Sequence, residues 1–187
     1  QRTQSLADFA RLSGAMRGYA LELIRIANDL RLLSSGPNTG FGEIELPAIQ
    51  PGSSIMPGKV NPVVAEMVDM VGFQVVGHDA TVAMATQAGQ LELNVMMPVV
   101  AYNLLQPMRL LTNASRVFAT RCVGGITVNA ARCRGYAERS LALVTALAPR
   151  IGYVAAAKIA KTSLASGKPI AQLVVEHGLL SASEARR

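Results

Sequence analysis

The chain has 187 residues, half of them apolar, with 4% aromatics and no Trp; 18 Lys or Arg stand against 12 Asp or Glu, a net charge of +6. That length allows one domain, or one with a small appendage, around an aliphatic core rich in Ala and Met. The basic excess forms no Lys/Arg run and has no aromatics interleaved with it, which argues against nucleic-acid binding and fits a small anionic substrate better.

Cys122 and Cys133 are too few and too far apart for a disulfide framework or a zinc site, so no metal is expected and a reducing cytoplasm is the expected setting. Neither a signal peptide nor an apolar run long enough to span a bilayer is expected.

Taken in order, Leu6, Phe9, Leu12, Met16, Leu23, Ile26, Leu30 and Leu33 recur at helical intervals, with charge between them. Thr3 and Ser5 are candidate caps, and Gly36-Pro37 stops the pattern. A helix of that length needs other long helices beside it. Asn28, Asp29 and Arg31 near its end read as a capping and salt-bridge network. Residues 34–51 are turn-rich and read as one long connection, of the kind that is usually functional or disordered.

The connection runs into Gln50 to Pro62, Q-P-G-S-S-I-M-P-G-K-V-N-P, where three prolines and two glycines bar helix and strand alike. A polar loop fixed between rigid helices is where binding and catalytic groups are usually found. Asn61-Pro62 then reads as the N-cap and first residue of a helix striped by Val64, Met67, Val68, Val71 and Val75. Glu66 falls in its first turn, where the helix dipole favours a carboxylate. Gly72 and Gly77 would allow a neighbouring helix close.

A third helical stretch, Glu92 to Cys122, contains Pro98 and Pro107, each expected to kink or break it. Beyond Gly124-Gly125 the elements shorten. Helices are expected over Asn129 to Ala148, Tyr153 to Ser166 and Pro169 to His177, with Ser181 and Glu184 as a capping box. Three broad apolar helices are more hydrophobic than one pair could cover, so they are expected to pack on further chain. His78 reads as part of a polar network, His177 as a complement to a helix C-terminus. Lys158, Lys161 and Lys168 read as a solvated face. Five residues between Gly52 and Gly58, and Val60 after Lys59, exclude a P-loop.

Gly52-Ser53-Ser54-Ile55-Met56-Pro57-Gly58-Lys59-Val60-Asn61-Pro62 closely resembles the signature loop of the fumarase/aspartase superfamily, in the Gly-Lys-Val-Asn form of its fumarate hydratase and aspartate ammonia-lyase branch. The resemblance extends through Ile26-Ala27-Asn28-Asp29-Leu30-Arg31, Gly89-Gln90-Leu91-Glu92-Leu93-Asn94-Val95 and Gly125-Ile126-Thr127. It implies an all-α fold: part of a long-helix bundle over residues 1–124, carrying the loop 50–62, then a small helical domain over 125–187. It further implies a C-terminal half of a longer enzyme, a homotetramer with active sites shared between subunits.

The implied reaction is reversible β-elimination on a succinyl-type dicarboxylate, needing no cofactor. A base takes the proton beside a carboxylate, and charge moves into that carboxylate, which requires fixed cations and N–H donors around it. By resemblance Ser53 is the catalytic base, a role in which a hydroxyl must be activated by its surroundings. Ser54, Lys59 and Asn61 bind the substrate, Met56 lines its pocket, and Glu66 supports a histidine from the other half. Gly89-Gln90-Leu91-Glu92 resembles aspartate ammonia-lyases, whereas Met97-Pro98 departs from their usual Glu-Pro. L-aspartate is the expected substrate, with L-malate as runner-up, and a non-catalytic oligomerisation fragment as the reading from another class. Asn38 stands where the family commonly has arginine, and His78 where the branch often has Asn.

Overall fold

A computed structural model describes residues 3–50, 52, 55–56 and 58–185. The fold is all-α. Two compact units divide the chain, Gln1–Val128 and Asn129–Arg187. Among the described residues the first unit holds three long helices, α1 (Ala7–Leu33), α2 (Val63–Gln87) and α3 (Met97–Arg121). At about 1.5 Å per residue, α1 is roughly 40 Å long. Each helix packs antiparallel to the one before it, as three layers of core side chains record. Ala27 meets Val64, Val68 and Phe118 at one end, Ala20 meets Val75 and Leu111 in the middle, and Leu6 meets Val82, Ala85 and Val100 at the other.

The seam of α1 is narrower than its apolar spacing predicts. Ser13, Ala20 and Ala27 are its buried residues, while Leu12 and Ile26 stay exposed. Small side chains bring α2 close at this face. Gly72 completes the approach, since a Cβ there would stand 2.6 Å from the Ile24 side chain. Gly77, expected to do the same, has nothing within contact distance. Leu12, Tyr19 and Ile26, seven residues apart, form a second apolar stripe on the outer face of α1. Phe73 and Met84 on α2 and Tyr102 and Leu105 on α3 are exposed as well.

The helix starts differ from the sequence reading. Leu6, without a side-chain cap, precedes α1, and the Thr3 hydroxyl instead donates to the Glu92 carbonyl at 2.8 Å. Neither Asn61 nor Pro62 is helical: α2 begins at Val63 with Pro62 in the cap position, and the Asn61 carbonyl accepts from Val63 N–H at 2.8 Å. The third helix begins at Met97 because Asn94 organises the turn before it. The buried Asn94 amide donates to the carbonyls of Ala85 and Thr86 at 3.0 and 3.3 Å, meeting acceptors in the last turn of α2. Its Oδ1 accepts from Met96 N–H at 2.9 Å. Pro98 therefore sits in the first turn, where its missing donor costs nothing, and Pro107 is accommodated inside a continuous α3.

A two-residue ladder closes the unit: β1 (Ile44–Glu45) pairs antiparallel with β2 (Thr127–Val128), Ile44 opposite Val128. This pairing carries the first unit past the 3-10 turn at Val123–Gly125. The buried His78 binds Asn103 Oδ1 through Nδ1 at 2.6 Å, and Asn103 donates to the Val99 carbonyl, so the histidine joins a polar network between α2 and α3.

The second unit comprises α4 (Ala130–Arg139), α5 (Ala142–Ile151), α6 (Tyr153–Ser166) and α7 (Ile170–Glu176) around Ile159, Ile170, Leu173 and Val174. The single helix expected over Asn129 to Ala148 is two. Ser140 takes extended backbone, and its hydroxyl accepts from Ala142 N–H at 3.3 Å, so the chain restarts there and runs through Pro149. Asn129 caps α4, accepting from Arg132 N–H at 3.1 Å. The capping box forms: Ser181 N–H donates to Glu184 Oε2 and Glu184 N–H to Ser181 Oγ. Lys168 is no merely solvated charge, because its Nζ pairs with the Glu176 carboxylate at 2.9 Å.

Candidate functional site

The end of α1, the strand β1 and the approach to α2 border an open cavity of about 770 Å³. Three of the residues singled out from the sequence line it: Lys59, Asn61 and Glu66. Asn28 and Arg31 from α1 and Glu45 from β1 complete its polar wall, and Ile44, Leu46 and Val60 its apolar one. Lys59 is exposed, Asn61 and Glu66 are half-buried. Chain topology explains the convergence. The ladder ties the long connection to the far end of α3, and Glu43 N–H returns to the Leu33 carbonyl at 2.9 Å, so the connection wraps back over the end of α1.

Local backbone then sets the cationic side chain. Lys59 N–H donates to the Met56 carbonyl at 3.1 Å, and Gly58 takes φ +84, which turns the chain between them. Gly52 lies so close to the Lys59 carbonyl that any Cβ would collide with it. Glycine is needed on both counts. Met56 is half-exposed and is not among the residues that line the cavity, although its carbonyl accepts from Lys59 N–H. Ser53 and Ser54, the expected base and its neighbour, lie outside the described residues.

Two residues matter here beyond those foreseen. Arg31 lines the cavity and donates through Nη1 to Asn28 Oδ1 at 3.0 Å and to Asp69 Oδ2 at 2.7 Å. Asp69 is almost fully buried on α2, and its Oδ1 has no hydrogen-bond partner among the described residues. The network expected at the end of α1 therefore exists, but its main acceptor lies 38 residues away. The legible signal was an aspartate interrupting the Val68–Val71 stripe, which a buried helix face tolerates only with a partner. Arg17 and Asp79 repeat the arrangement further along the same two helices, at 2.8 Å.

The cavity offers a point cation, a guanidinium, two amides and two carboxylates, a polar set suited to a small anion with polar groups. Among the described residues no group of three His, Cys, Asp or Glu could hold a metal ion, and no helix is long and apolar enough to cross a membrane. Burial pushes the Cys122 thiol up, so this cysteine behaves as core rather than as a nucleophile.

Known proteins share both the sequence and the shape. Residues 1–77 match the lyase family model and residues 143–187 that of the fumarase C C-terminus. An aspartate ammonia-lyase of Pseudomonas canavaninivorans is 51% identical over 96% of this chain and 38% of its own length. A class II fumarate hydratase of Corynebacterium glutamicum is 58% identical over 90% of this chain and 36% of its own. The crystal structure of fumarate lyase:delta crystallin from Brucella melitensis bound to cobalt superposes with a TM-score of 0.93 at 54% identity, over 97% of this chain and 39% of that one. This chain thus spans well under half the length of the relatives it matches. With the signature loop, the antiparallel long helices and both terminal regions in agreement, the chain belongs to the fumarase/aspartase superfamily of lyases.

Proposed function

We propose that this chain is the C-terminal part of a lyase that catalyses reversible β-elimination on a succinyl-type dicarboxylate, converting L-aspartate to fumarate and ammonia. The observation that carries the reading is the meeting of Lys59, Asn61 and the entry to α2 on one cavity. A carbanion formed beside a carboxylate places negative charge on that carboxylate's oxygens. The Lys59 ammonium and the Asn61 amide would stabilise it, aided by the positive end of the α2 dipole.

In this mechanism Ser53, as alkoxide, takes the proton from the carbon next to the carboxylate. The electron pair left behind forms the double bond, and the substrate's ammonium group departs from the adjacent carbon with the C–N bonding pair, as neutral ammonia. Ser54 holds a carboxylate and Met56 closes over it. Glu66 orients a histidine supplied from outside this chain. The catalytic bundle would end near residue 124, with the remainder as a small C-terminal domain. The heptad-spaced outer stripe of Leu12, Tyr19 and Ile26 supports burial against further helices, in a homotetramer with shared active sites. A cytoplasmic enzyme fits the two separated cysteines.

Reversible elimination of water from L-malate to give fumarate is the second reading, favoured by the 58% identity to the Corynebacterium hydratase. Fumarate formation from L-aspartate and from L-malate, measured on this chain alone and on the complete protein that contains it, separates the readings. Turnover of L-aspartate supports the first and turnover of L-malate alone the second. If the complete protein turns over neither, the lyase reading fails and an oligomerisation role takes its place.

A further inference from the structure

We propose that the outer face of α6 docks an acidic, partly apolar helix of another protein. Val154, Lys158, Lys161 and Leu164 follow at intervals of four, three and three residues. They therefore stack along one face of α6 for about 15 Å, with Tyr153 beside the first. Ala156, Ile159 and Ser163 are buried on the opposite face. Tyr153, Val154 and Leu164 are 82%, 83% and 70% exposed. Among the described residues of the second unit, the other exposed large apolar side chains, Tyr136, Leu141, Leu143 and Val175, keep more than half their surface covered. The unit's most exposed apolar surface is thus gathered around two exposed lysines.

A merely solvated face would carry both signs of charge. α6 contains no Asp or Glu, so neither lysine has an acidic neighbour one turn away. Elsewhere surface charges are matched. Arg11 pairs with Asp8 and Arg25 with Glu22 on α1, and Arg150 with Glu184 and Lys168 with Glu176 in the second unit. Lys158 and Lys161 make no ion pair among the described residues, and three residues apart they repel each other. A partner carboxylate beside each would end that repulsion. Apolar side chains at both ends of the stripe, with only Ala157 between them on the same face, let a partner helix lie close along it. The complementary chemistry is two carboxylates one turn apart, with an apolar residue a turn to either side. Three large apolar side chains and two lysines are too few for a helix that lies in a lipid surface, which takes a broad apolar face and a lysine-rich one.

The probe is a fluorescent synthetic helix with two glutamates three residues apart and a leucine one turn beyond each. Its binding to the complete protein that contains this chain is read by anisotropy, beside the melting temperature. Wild type should bind it, and more weakly as salt is raised. The Lys158→Glu, Lys161→Glu double variant should weaken binding about tenfold or more without moving the melting temperature, since both side chains are exposed. That variant should instead bind the twin peptide in which lysines replace the glutamates. Leu164→Ser should weaken the acidic peptide about threefold. No binding to wild type overturns the proposal, as does equal binding to wild type and the double variant. Dependence on the lysines without any on Leu164 reduces the face to unspecific attraction of anions and overturns it too. So does binding to phosphatidylserine vesicles in place of the peptide, because the face then serves a membrane. Should the double variant not fold, the Lys158→Gln, Lys161→Gln variant decides: a loss of about threefold or more supports the docking surface and unchanged affinity overturns it.

Discussion

The two compact units use the same element, the α-helix, and place their polar residues in opposite ways. The first has nine Lys or Arg against nine Asp or Glu, and the second nine against three, so the whole excess of +6 lies beyond residue 128. The balanced unit buries polar groups: Asp69, His78, Asp79, Asn94 and Asn103 all sit inside it, each bonded between helices or across a turn. In the basic unit Ser163 is the buried polar side chain among the described residues, and the ion pairs Arg150–Glu184 and Lys168–Glu176 lie at the surface. Buried polar contacts fix geometry because an unmet group inside costs about 1–3 kcal/mol, whereas exposed ion pairs contribute about 0–1 kcal/mol. The first unit is therefore built to hold side chains in place around a cavity. The second is held by apolar packing.

If that division is right, chemistry should fail only through the first unit and folding should fail readily through the second. The largest effect belongs to Ser53. Replacing a group that moves a proton in the transition state should cost about 10²–10⁴ in rate, lowering kcat and kcat/KM together. Ser53→Ala should show that loss with the melting temperature unchanged, and near-native kcat would remove Ser53 from the mechanism. Next comes Ile159→Ala in the core of the second unit, where the side chain is 1% exposed. Emptying such a site costs about 2–5 kcal/mol. Chemical denaturation should register the loss, while KM for the dicarboxylate stays where it was. A shifted KM would break the comparison, because packing in the second unit would then set the cavity.

The same division explains what could be read in advance. Helix periodicity gave three long helices and a shorter set, since every apolar stripe reports locally on its own helix. It could not rank the stripes. Leu12 and Ile26 look as much like core as Leu6 does, yet the face that meets α2 is the one with Ala20, Ala27 and, opposite them, Gly72. Small residues carry little hydrophobic signal, and their value appears only when a partner helix is set against them. Lys59, Asn61 and Glu66 were legible because one continuous segment carries them. Arg31 with Asp69 was legible only in half, as a charged group near a helix end, because the pairing spans 38 residues and depends on antiparallel register. Helix starts failed for a local reason. Thr3 has the chemistry of a cap, but its hydroxyl donates to the Glu92 carbonyl instead, and α2 starts two residues beyond Asn61, with Pro62 in the cap position.

Lys59 gives a sharper and smaller test within the first unit. As an anchor it serves bound substrate and transition state alike, so Lys59→Met should raise KM and lower kcat/KM by the equivalent of about 1.5–3 kcal/mol, the usual worth of a charge-assisted contact. Stability should hardly change, since the side chain is exposed. An unchanged KM would leave Lys59 as a solvated loop charge and would cost the first unit its claim to the chemistry.

The smallest effect is reserved for the surface charges of the second unit, and it is a matter of pH. The Lys168 ammonium, and after it the Gln172 amide, hydrogen-bond the Glu176 carboxylate and hold its pKa below the ordinary 4.5. The Ser181 hydroxyl, then the Ser181 N–H, do the same for Glu184. Below pH 4.5 the unfolded chain takes up protons at these two positions before the folded chain does. Stability therefore rises with pH through this window: the contribution is complete above 4.5 and is lost as pH falls through the lower folded values. Both carboxylates are exposed, so solvent and salt screen the effect. The Glu176→Gln, Glu184→Gln double variant should melt with a flatter acid limb below pH 4.5 and match wild type at neutral pH apart from a small constant offset. Added salt should narrow the difference further. Identical acid limbs in the two proteins would show that the surface pairs contribute nothing to folding, leaving apolar packing alone to hold the second unit.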